Sequence, residues 1–192
     1  MTALTYLQLV NRTLSELGRP QVSSTTESPD AEQALAKIYE LSPELYLEYN
    51  WSFLTKFILD TTPLTNNFSP DFEYTYQLPS DFGHFFRWQA TGSQWPIYEI
   101  VDGYLLAQTL PVGYYYIVNQ ADPSVYAPKF ARALVLYAAA KLSPTLTNNI
   151  QLTAYLEKEY EKALAKAIMA DDMIGNPHST APYNDFNRIT FV

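Results

Sequence analysis

The chain has 192 residues, of which 20 are acidic and 12 are basic, so its formal net charge is −8. This negative charge argues against a protein that binds nucleic acid by neutralising phosphates. The sequence contains no cysteine, which excludes disulfides and thiolate chemistry. No apolar run approaches the roughly 18 residues of a membrane span. We therefore expect a soluble, acidic and non-secreted protein.

Charged residues make up only 17% of the chain, whereas about 25% is usual for soluble domains. Aromatic residues make up 15%, with 16 tyrosines and 10 phenylalanines. Buried contacts between proteins favour tyrosine, tryptophan and phenylalanine over lysine and glutamate. The composition therefore favours a protein with extensive contact surfaces.

The first 50 residues predict two helices. The first starts after Thr2, which can cap it, and ends at Gly18, since glycine readily adopts the left-handed conformation that closes helices. The second starts at the cap Ser28. Because Pro43 removes a backbone donor, we expect a kink or a break near Ser42. The apolar stripe of the first helix consists of Leu4, Leu7, Val10, Leu14 and Leu17.

Between residues 51 and 120 the apolar residues change from a helical period to the alternation typical of strands. Turn residues separate the strand-like segments, and Asp102-Gly103 is a strong hairpin signal. We expect a compact antiparallel sheet or a small sandwich here. The predicted strands are 52–60, 73–78, 84–90, 96–101, 104–109 and 113–119.

Two more helices are predicted after residue 121. The first covers residues 129–142 and is ended by Ser143-Pro144, and the second runs from residue 150 to about residue 171. The fold class is therefore α+β. Residues 1–50 and 121–171 are expected to form one discontinuous four-helix bundle, with 51–120 as an inserted antiparallel β subdomain. The charged face of the last helix, interpreted as a solvated surface, carries Glu157, Lys158, Glu161, Lys162 and Lys166.

Residues 172–192 lose the helical period and combine polar residues with widely spaced apolar side chains. We expect an extended C-terminal arm that becomes ordered on a partner, because such a segment buries little surface alone. The candidate contacts with a portal protein or a neighbouring subunit are Ile174, Tyr183, Phe186, Ile189 and Phe191.

The sequence offers little that resembles a catalytic or metal site. The adjacent pair Asp171-Asp172 projects to different faces of a helix and is interpreted as a solvated helix end. Paired acids for sugar hydrolysis are available only at turns and strand ends, where acids usually cap or are solvated. We predict no catalytic residue, no metal and no cofactor. The acids considered for hydrolysis are Asp71, Glu73, Asp81, Glu99 and Asp102.

Two aromatic runs stand in the predicted strands, residues 85–88 (FFRW) and 114–116 (YYY). Alternation along a strand directs at least one side chain of each run away from the core. That outward side chain is interpreted as a protein contact or, less favoured, as a platform that stacks on a sugar.

Several short sequence segments occur in a characteristic order along the chain. They are LVNRTLSELGRP at 9–20, PDAE at 29–32, YNWSF at 49–53, YQLPSDF at 76–82 and ALVLYAAAKLSP at 133–144, followed by a charged helix at 157–166. Over about residues 4–170 this order resembles the tail tubular protein A family, the head–tail adaptor or gatekeeper proteins of short-tailed bacteriophages. The arm matches no motif of the family.

The resemblance implies a structural subunit of the virion tail, made in the host cytoplasm and assembled at the head–tail junction. It implies a ring, typically of twelve copies, with the portal protein above and the tail nozzle (tubular protein B-like) below. Genome DNA would pass through the channel without specific binding. We expect no measurable binding of duplex DNA at physiological salt, because no run of lysine or arginine exceeds two neighbours.

Two alternatives remain open at this point. Some members and relatives of the family have been credited with cell-wall hydrolysis, so the adaptor could also cleave peptidoglycan through acids of the β region. The other alternative is an unrelated glycan-binding module that uses Trp88, Trp95 and the tyrosine run. No residue here matches a catalytic motif of the first.

Overall fold

A computed structural model describes residues 3–65, 68, 70–89, 97–108, 112–119 and 122–173. The predicted α+β class is confirmed, with four helices and two antiparallel three-stranded sheets in the described residues. The helices are α1 (Tyr6–Glu16), α2 (Pro29–Leu47), α3 (Pro128–Thr147) and α4 (Ile150–Met173). The strands are β1 (Thr55–Asp60), β2 (Tyr74–Gln77), β3 (Phe82–Trp88), β4 (Tyr98–Val101), β5 (Tyr104–Ala107) and β6 (Val112–Val118). The sheets have the orders β1-β6-β3 and β2-β5-β4.

The first helix starts later than predicted, because a reciprocal cap forms at Thr5 and not at Thr2. The Thr5 hydroxyl accepts the backbone N–H of Gln8 at 3.3 Å, and the Gln8 side chain accepts the backbone N–H of Thr5 at 3.2 Å. This capping box satisfies two donors at once. The predicted end at Gly18 is confirmed by its φ of +68°, and the predicted cap Ser28 accepts the N–H of Ala31.

The predicted helix end at Ser143-Pro144 is wrong, and no break occurs near Ser42. Helix α2 continues through Pro43 to Leu47 without a break, and α3 continues through Pro144 to Thr147. In α2 the turn after Pro43 buries Leu45 and Tyr46, and burial of this kind compensates for one missing backbone donor. Helix α3 instead ends at Asn148, which has a left-handed φ of +49°.

Helix α3 lies at the centre of the helical part and contacts the other three helices. Its buried residues occupy more than the single face that was predicted, since consecutive residues such as Leu134, Val135 and Leu136 are all buried. A helix with so broad an apolar surface packs against several neighbours, while Lys129, Arg132 and Lys141 stay exposed. The small residues that allow close approach of its neighbours are Ala133, Ala138, Ala139 and Ala140.

The two sheets are joined by aromatic contacts. Tyr98 of β4 lies 4.8 Å from Phe85 and 5.2 Å from Trp88 of β3, measured between ring centroids. The predicted hairpin between β4 and β5 is confirmed, with φ of +48° at Asp102 and +80° at Gly103. Positive φ at both central residues is the geometry that matches the twist of the flanking strands.

One hydrophobic cluster connects the helices to strands of both sheets. At the point where α2 leads into β1, the ring of Trp51 lies 5.1 Å from that of Phe130 in α3. The end of α4 reaches the same place, because the Asp171 carboxylate accepts the backbone N–H and the hydroxyl of Ser52, both at 2.7 Å. Asp171 is only 5% exposed, so the prediction of a solvated helix end is wrong at this residue.

Candidate interaction surfaces

All five predicted arm contacts lie outside the described residues. They are Ile174, Tyr183, Phe186, Ile189 and Phe191. The last described residue, Met173, is 81% exposed. The role of the arm therefore stays a prediction from sequence.

Three of the acids considered for hydrolysis occupy structural positions. Asp81 accepts hydrogen bonds from Lys56 at 2.6 Å and from the Tyr116 hydroxyl at 3.0 Å. The bond from Lys56 lowers the pKa of Asp81 below its usual value, which keeps this carboxylate ionised and unsuited to the role of a general acid at neutral pH. Asp102 occupies the hairpin turn, and Glu73 accepts from the hydroxyl of Tyr74.

His84 is half-buried on β3, with its Nε2 atom 3.0 Å from the Asn50 side-chain oxygen. Among the described residues, no group of three or more His, Cys, Asp or Glu side chains is placed to hold a metal ion. The contact with Asn50 instead attaches the strand to the segment that follows α2.

Burial lowers the pKa of His84 below the ordinary value of 6.5. The unfolded chain therefore takes up the proton before the folded one as pH falls through about 6.5, and folding stability falls with it. In a His178→Asn variant His84 is the remaining histidine. We expect the chemical shifts of its ring protons, followed by NMR over a pH series, to give a pKa below 6.5. Titration at or above 6.5 would contradict the buried, neutral ring.

The run 114–116 alternates as predicted, but the run 85–88 does not, because the register shifts between Phe85 and Arg87 and both Phe85 and Trp88 contact Tyr114. Tyr114 and Tyr116 are buried, whereas Tyr115 between them points to the other face of its sheet. There its ring lies 4.9 Å from that of Phe57, and the Arg87 guanidinium carbon lies 4.0 Å from its centroid. Trp88 is buried as well, so its indole is not available to stack on a sugar at the surface.

The outer sheet face, defined here as Phe57, Leu59, Arg87 and Tyr115, forms a continuous patch. The register places Tyr115 of β6 opposite both Phe57 and Arg87, with Leu59 two residues further along β1. Phe57 is 44% exposed and Leu59 is 52% exposed, and Arg87 has no ion pair within the described part of the chain. Tyrosine and arginine are the residue types enriched at the energetic centres of interfaces.

A wide, mainly apolar groove of about 530 Å³ opens where the chain enters α1. Tyr6 and Tyr39 meet across it with ring centroids 4.6 Å apart. Its other lining residues are Ala3, Leu4, Thr5, Asp122, Pro123 and Ser124. Among its described lining residues Asp122 alone is acidic, and the mainly apolar lining has the character of a contact surface.

A second groove, of about 190 Å³, lies between α3 and α4 and is called the basic groove. Arg132 pairs with Glu16 of α1, and Lys162 pairs with Glu159 at 2.6 Å. Lys129 and Lys166 have no ion pair in the part of the chain that the structure covers. The groove is lined by Lys129, Arg132, Leu136, Glu159, Lys162, Ala163 and Lys166.

This groove brings together basic residues that are far apart in the sequence. A count of consecutive basic residues in the sequence does not reveal the groove, because its four cations come from two helices. In the structure only two residues separate α3 from α4, so the helices run antiparallel and Lys129 lies opposite Lys166. The helix end predicted at Ser143-Pro144 concealed this short connection. The stacked pair Tyr137–Tyr160, with centroids 4.5 Å apart, has the same antiparallel register.

None of the helices that the structure describes is long and apolar enough to cross a membrane. Comparison with models of known protein families gives no match for this chain, and a search of curated proteins likewise finds no significant match.

Proposed function

We propose that this chain is a structural subunit of the head–tail connector of a short-tailed bacteriophage. Copies of it would form a ring, of twelve in the family it resembles, beneath the portal protein and above the tail nozzle. The ring would line a channel through which genome DNA passes. The protein would act at the head–tail junction of the virion and be found in the host cytoplasm before assembly.

The observation that carries this proposal is the exposure of large apolar side chains on separate surfaces. The outer sheet face is one such surface, and α4 is another. A ring subunit between two other rings needs contacts with its neighbours, with the portal and with the nozzle, whereas a monomeric enzyme needs one cleft. The exposed apolar residues of α4 are Ile150, Tyr155, Met169 and Met173.

For the architecture we infer one four-helix bundle with the β region inserted between α2 and α3. The contacts of α3 with α1, α2 and α4 support this arrangement, as does the contact between α1 and α2. Both connections to the β region are attached to the helices, since Trp51 donates to Leu45 of α2 and the Tyr46 hydroxyl donates to Asn119. Such attachment would hold the β region in a fixed direction relative to a ring.

We propose no enzymatic role. Asp81 is paired with Lys56 and Tyr116, and Asp102 forms a hairpin turn. These placements favour structural roles for the acids of the β region over the hydrolysis of peptidoglycan. A zymogram with purified protein and murein tests this part of the proposal, and a cleared band would contradict it.

The assembly itself is tested with the portal protein of the same phage. We expect the free subunit to be mostly monomeric and to form rings only on the portal, because part of its contact surface is expected to form only after the arm becomes ordered. Native mass spectrometry and single-particle imaging, with and without portal, measure both states. Closed rings from dilute protein alone would contradict the templated assembly, and absence of any complex with the portal would contradict the proposed function.

A further inference from the structure

Acidic side chains form a row along α2, and this acidic row consists of Glu40, Glu44 and Glu48. All three are exposed, and Glu44 and Glu48 stand at the end of a helix whose last turn contains no basic residue. Like charges four residues apart repel each other, and negative charge at a helix C-terminus is unfavourable. Glu40 is already paired with Lys37, whereas Glu44 and Glu48 have no ion pair among the described residues, so the C-terminal end of the row would gain from a cationic partner.

The acidic row and the basic groove lie on different sides of the α3–α4 hairpin. Tyr137 donates to Glu44 at 3.2 Å and stacks on Tyr160, so these two tyrosines face α2. Leu136 and Glu159, each one residue earlier, line the basic groove. Consecutive residues are about 100° apart around a helix, so the groove lies on a different face of both helices from the one that faces α2.

The two surfaces also match in spacing. The acidic row repeats every four residues along α2, and Lys158, Lys162 and Lys166 repeat every four residues along α4. Four residues correspond to about 6 Å along a helix axis, and rows of this spacing are the ridges by which helices pack against each other. Lys158 does not line the basic groove, so the match is between two pairs: Glu44 and Glu48 can face Lys162 and Lys166 in one register.

We propose that the basic groove of one copy binds the acidic row of α2 from a second copy. Because the two surfaces lie on different sides of the same subunit, the contact is head-to-tail, which is the type of contact that closes into a ring. This inference rests on the proposed ring function and names the surface that joins its subunits. Leu47, which is 45% exposed beside the acidic row, would meet Ala163 in the groove.

A second copy fits this groove better than nucleic acid does. Glu159 stands inside the groove, and Glu16 stands at its rim through its pair with Arg132. Two carboxylates among four cations weaken the attraction of the groove for a continuous polyanion, whereas separate glutamate side chains can each approach a lysine. The overall charge of −8 opposes a polyanion as well.

Charge reversal tests the contact. The double substitution Lys129→Glu with Lys166→Glu makes the groove acidic without breaking an ion pair within the described subunit. The double substitution Glu44→Lys with Glu48→Lys makes the acidic row basic. Each variant alone should form rings on the portal at least about tenfold less efficiently than the wild type, because like charges then face each other. Mixing the two variants should restore rings, since each altered groove then finds a complementary row. A matched control is Glu157→Lys with Glu161→Lys, exposed on α4 and outside the groove.

Several results would overturn the inference. One is normal ring assembly by either variant, and another is failure of the mixture to restore assembly; both leave the ring function itself intact. If the wild-type protein forms no ring on the portal, the proposed function is wrong. The contact between the basic groove and the acidic row is then tested separately, by oxidising a Glu48→Cys, Lys166→Cys variant in concentrated free protein. The chain has no other cysteine, so linked oligomers support the contact and monomer alone overturns it. A further outcome is that the wild type binds duplex DNA and loses this binding when Lys129→Glu and Lys166→Glu are introduced together. That result would assign the groove to nucleic acid and would also overturn the inference.

Discussion

Replacement of Trp51 by alanine is expected to lower the free energy of unfolding by about 3–5 kcal/mol, the range for removing a buried aromatic side chain. Whole domains are stable by only about 5–15 kcal/mol, so this variant should be close to unfolded at 37 °C. Trp51 is 1% exposed, and its indole N–H donates to the Leu45 carbonyl at 3.0 Å. Its ring also contacts those of Tyr49, Phe53 and Phe130.

The size of the effect follows from the position of Trp51 as well as from its volume. The residue lies where α2, α3 and the entry to β1 meet, and one hydrophobic cluster runs from there into both sheets. A cavity at this point removes contacts from helices and strands together. We therefore expect helical and β signals to be lost in one transition.

Urea denaturation followed by circular dichroism measures the change. Trp51→Phe is the first control: it keeps a ring but removes the donor to Leu45, which should cost about 1–3 kcal/mol. Phe57→Ala is the second, because Phe57 lies on the outer sheet face and its removal leaves no internal cavity. A loss below about 1 kcal/mol in Trp51→Ala would contradict the packing at this junction.

Local signals were sufficient to predict most of the elements. Ser28, Gly18 and the pair Asp102-Gly103 act through backbone geometry that each residue type itself favours, and all three predictions are confirmed. The cap at Thr2 was wrong because Thr5 followed by Gln8 makes two reciprocal bonds, which a single hydroxyl does not.

The failures concern properties that depend on tertiary contacts. Pro43 and Pro144 were expected to interrupt helices, but the following turns are held in place, in α2 by the burial of Leu45 and Tyr46. Asp171 was expected in solvent because nothing local reveals that Ser52, 119 residues earlier, supplies two donors to it. Propensity describes one residue in its own turn and does not predict a partner so distant in sequence.

The candidate surfaces were predictable to different degrees. The outward position of Tyr115 follows from strict alternation along a strand, but its contact with Arg87 depends on the register of two strands far apart in sequence. The basic groove requires both the helical period and the antiparallel pairing of α3 with α4. A count of neighbouring lysines along the chain misses it, because Lys129 and Lys166 are 37 residues apart.

Deletion of residues 176–192 is expected to abolish docking to the portal or to the neighbouring subunit while leaving the fold of the free monomer nearly unchanged. The deletion spares Asp171 and Asp172, which hold the end of α4 through Ser52 and Tyr49. Removal of residues beyond such an anchor should change the free energy of unfolding by less than about 0.5 kcal/mol.

The loss of docking follows from the spacing of apolar side chains in the deleted segment. Each side chain that fills a pocket contributes about 1.5–3 kcal/mol, whereas ordering a segment on binding costs about 2–5 kcal/mol. Two or three seated side chains therefore exceed the cost, and one does not. Pro177 and Pro182 lower the cost because they restrict the unbound chain. The deleted anchors are Tyr183, Phe186, Ile189 and Phe191.

Two measurements separate this expectation from its rival, in which the arm packs on its own helices. If the arm docks on a partner, the truncated monomer melts normally and no longer assembles, and Phe186→Ala with Phe191→Ala reproduces the loss. Asn184→Ala with Asn187→Ala, which removes polar side chains from the same stretch, should assemble normally. If the arm instead stabilises its own subunit, truncation lowers the melting temperature of the free monomer by several degrees, since about 1 kcal/mol corresponds to 2–4 °C at this size. That result, or normal assembly of the truncated chain, would show that the apolar residues of the arm do not bind the portal or the adjacent subunit.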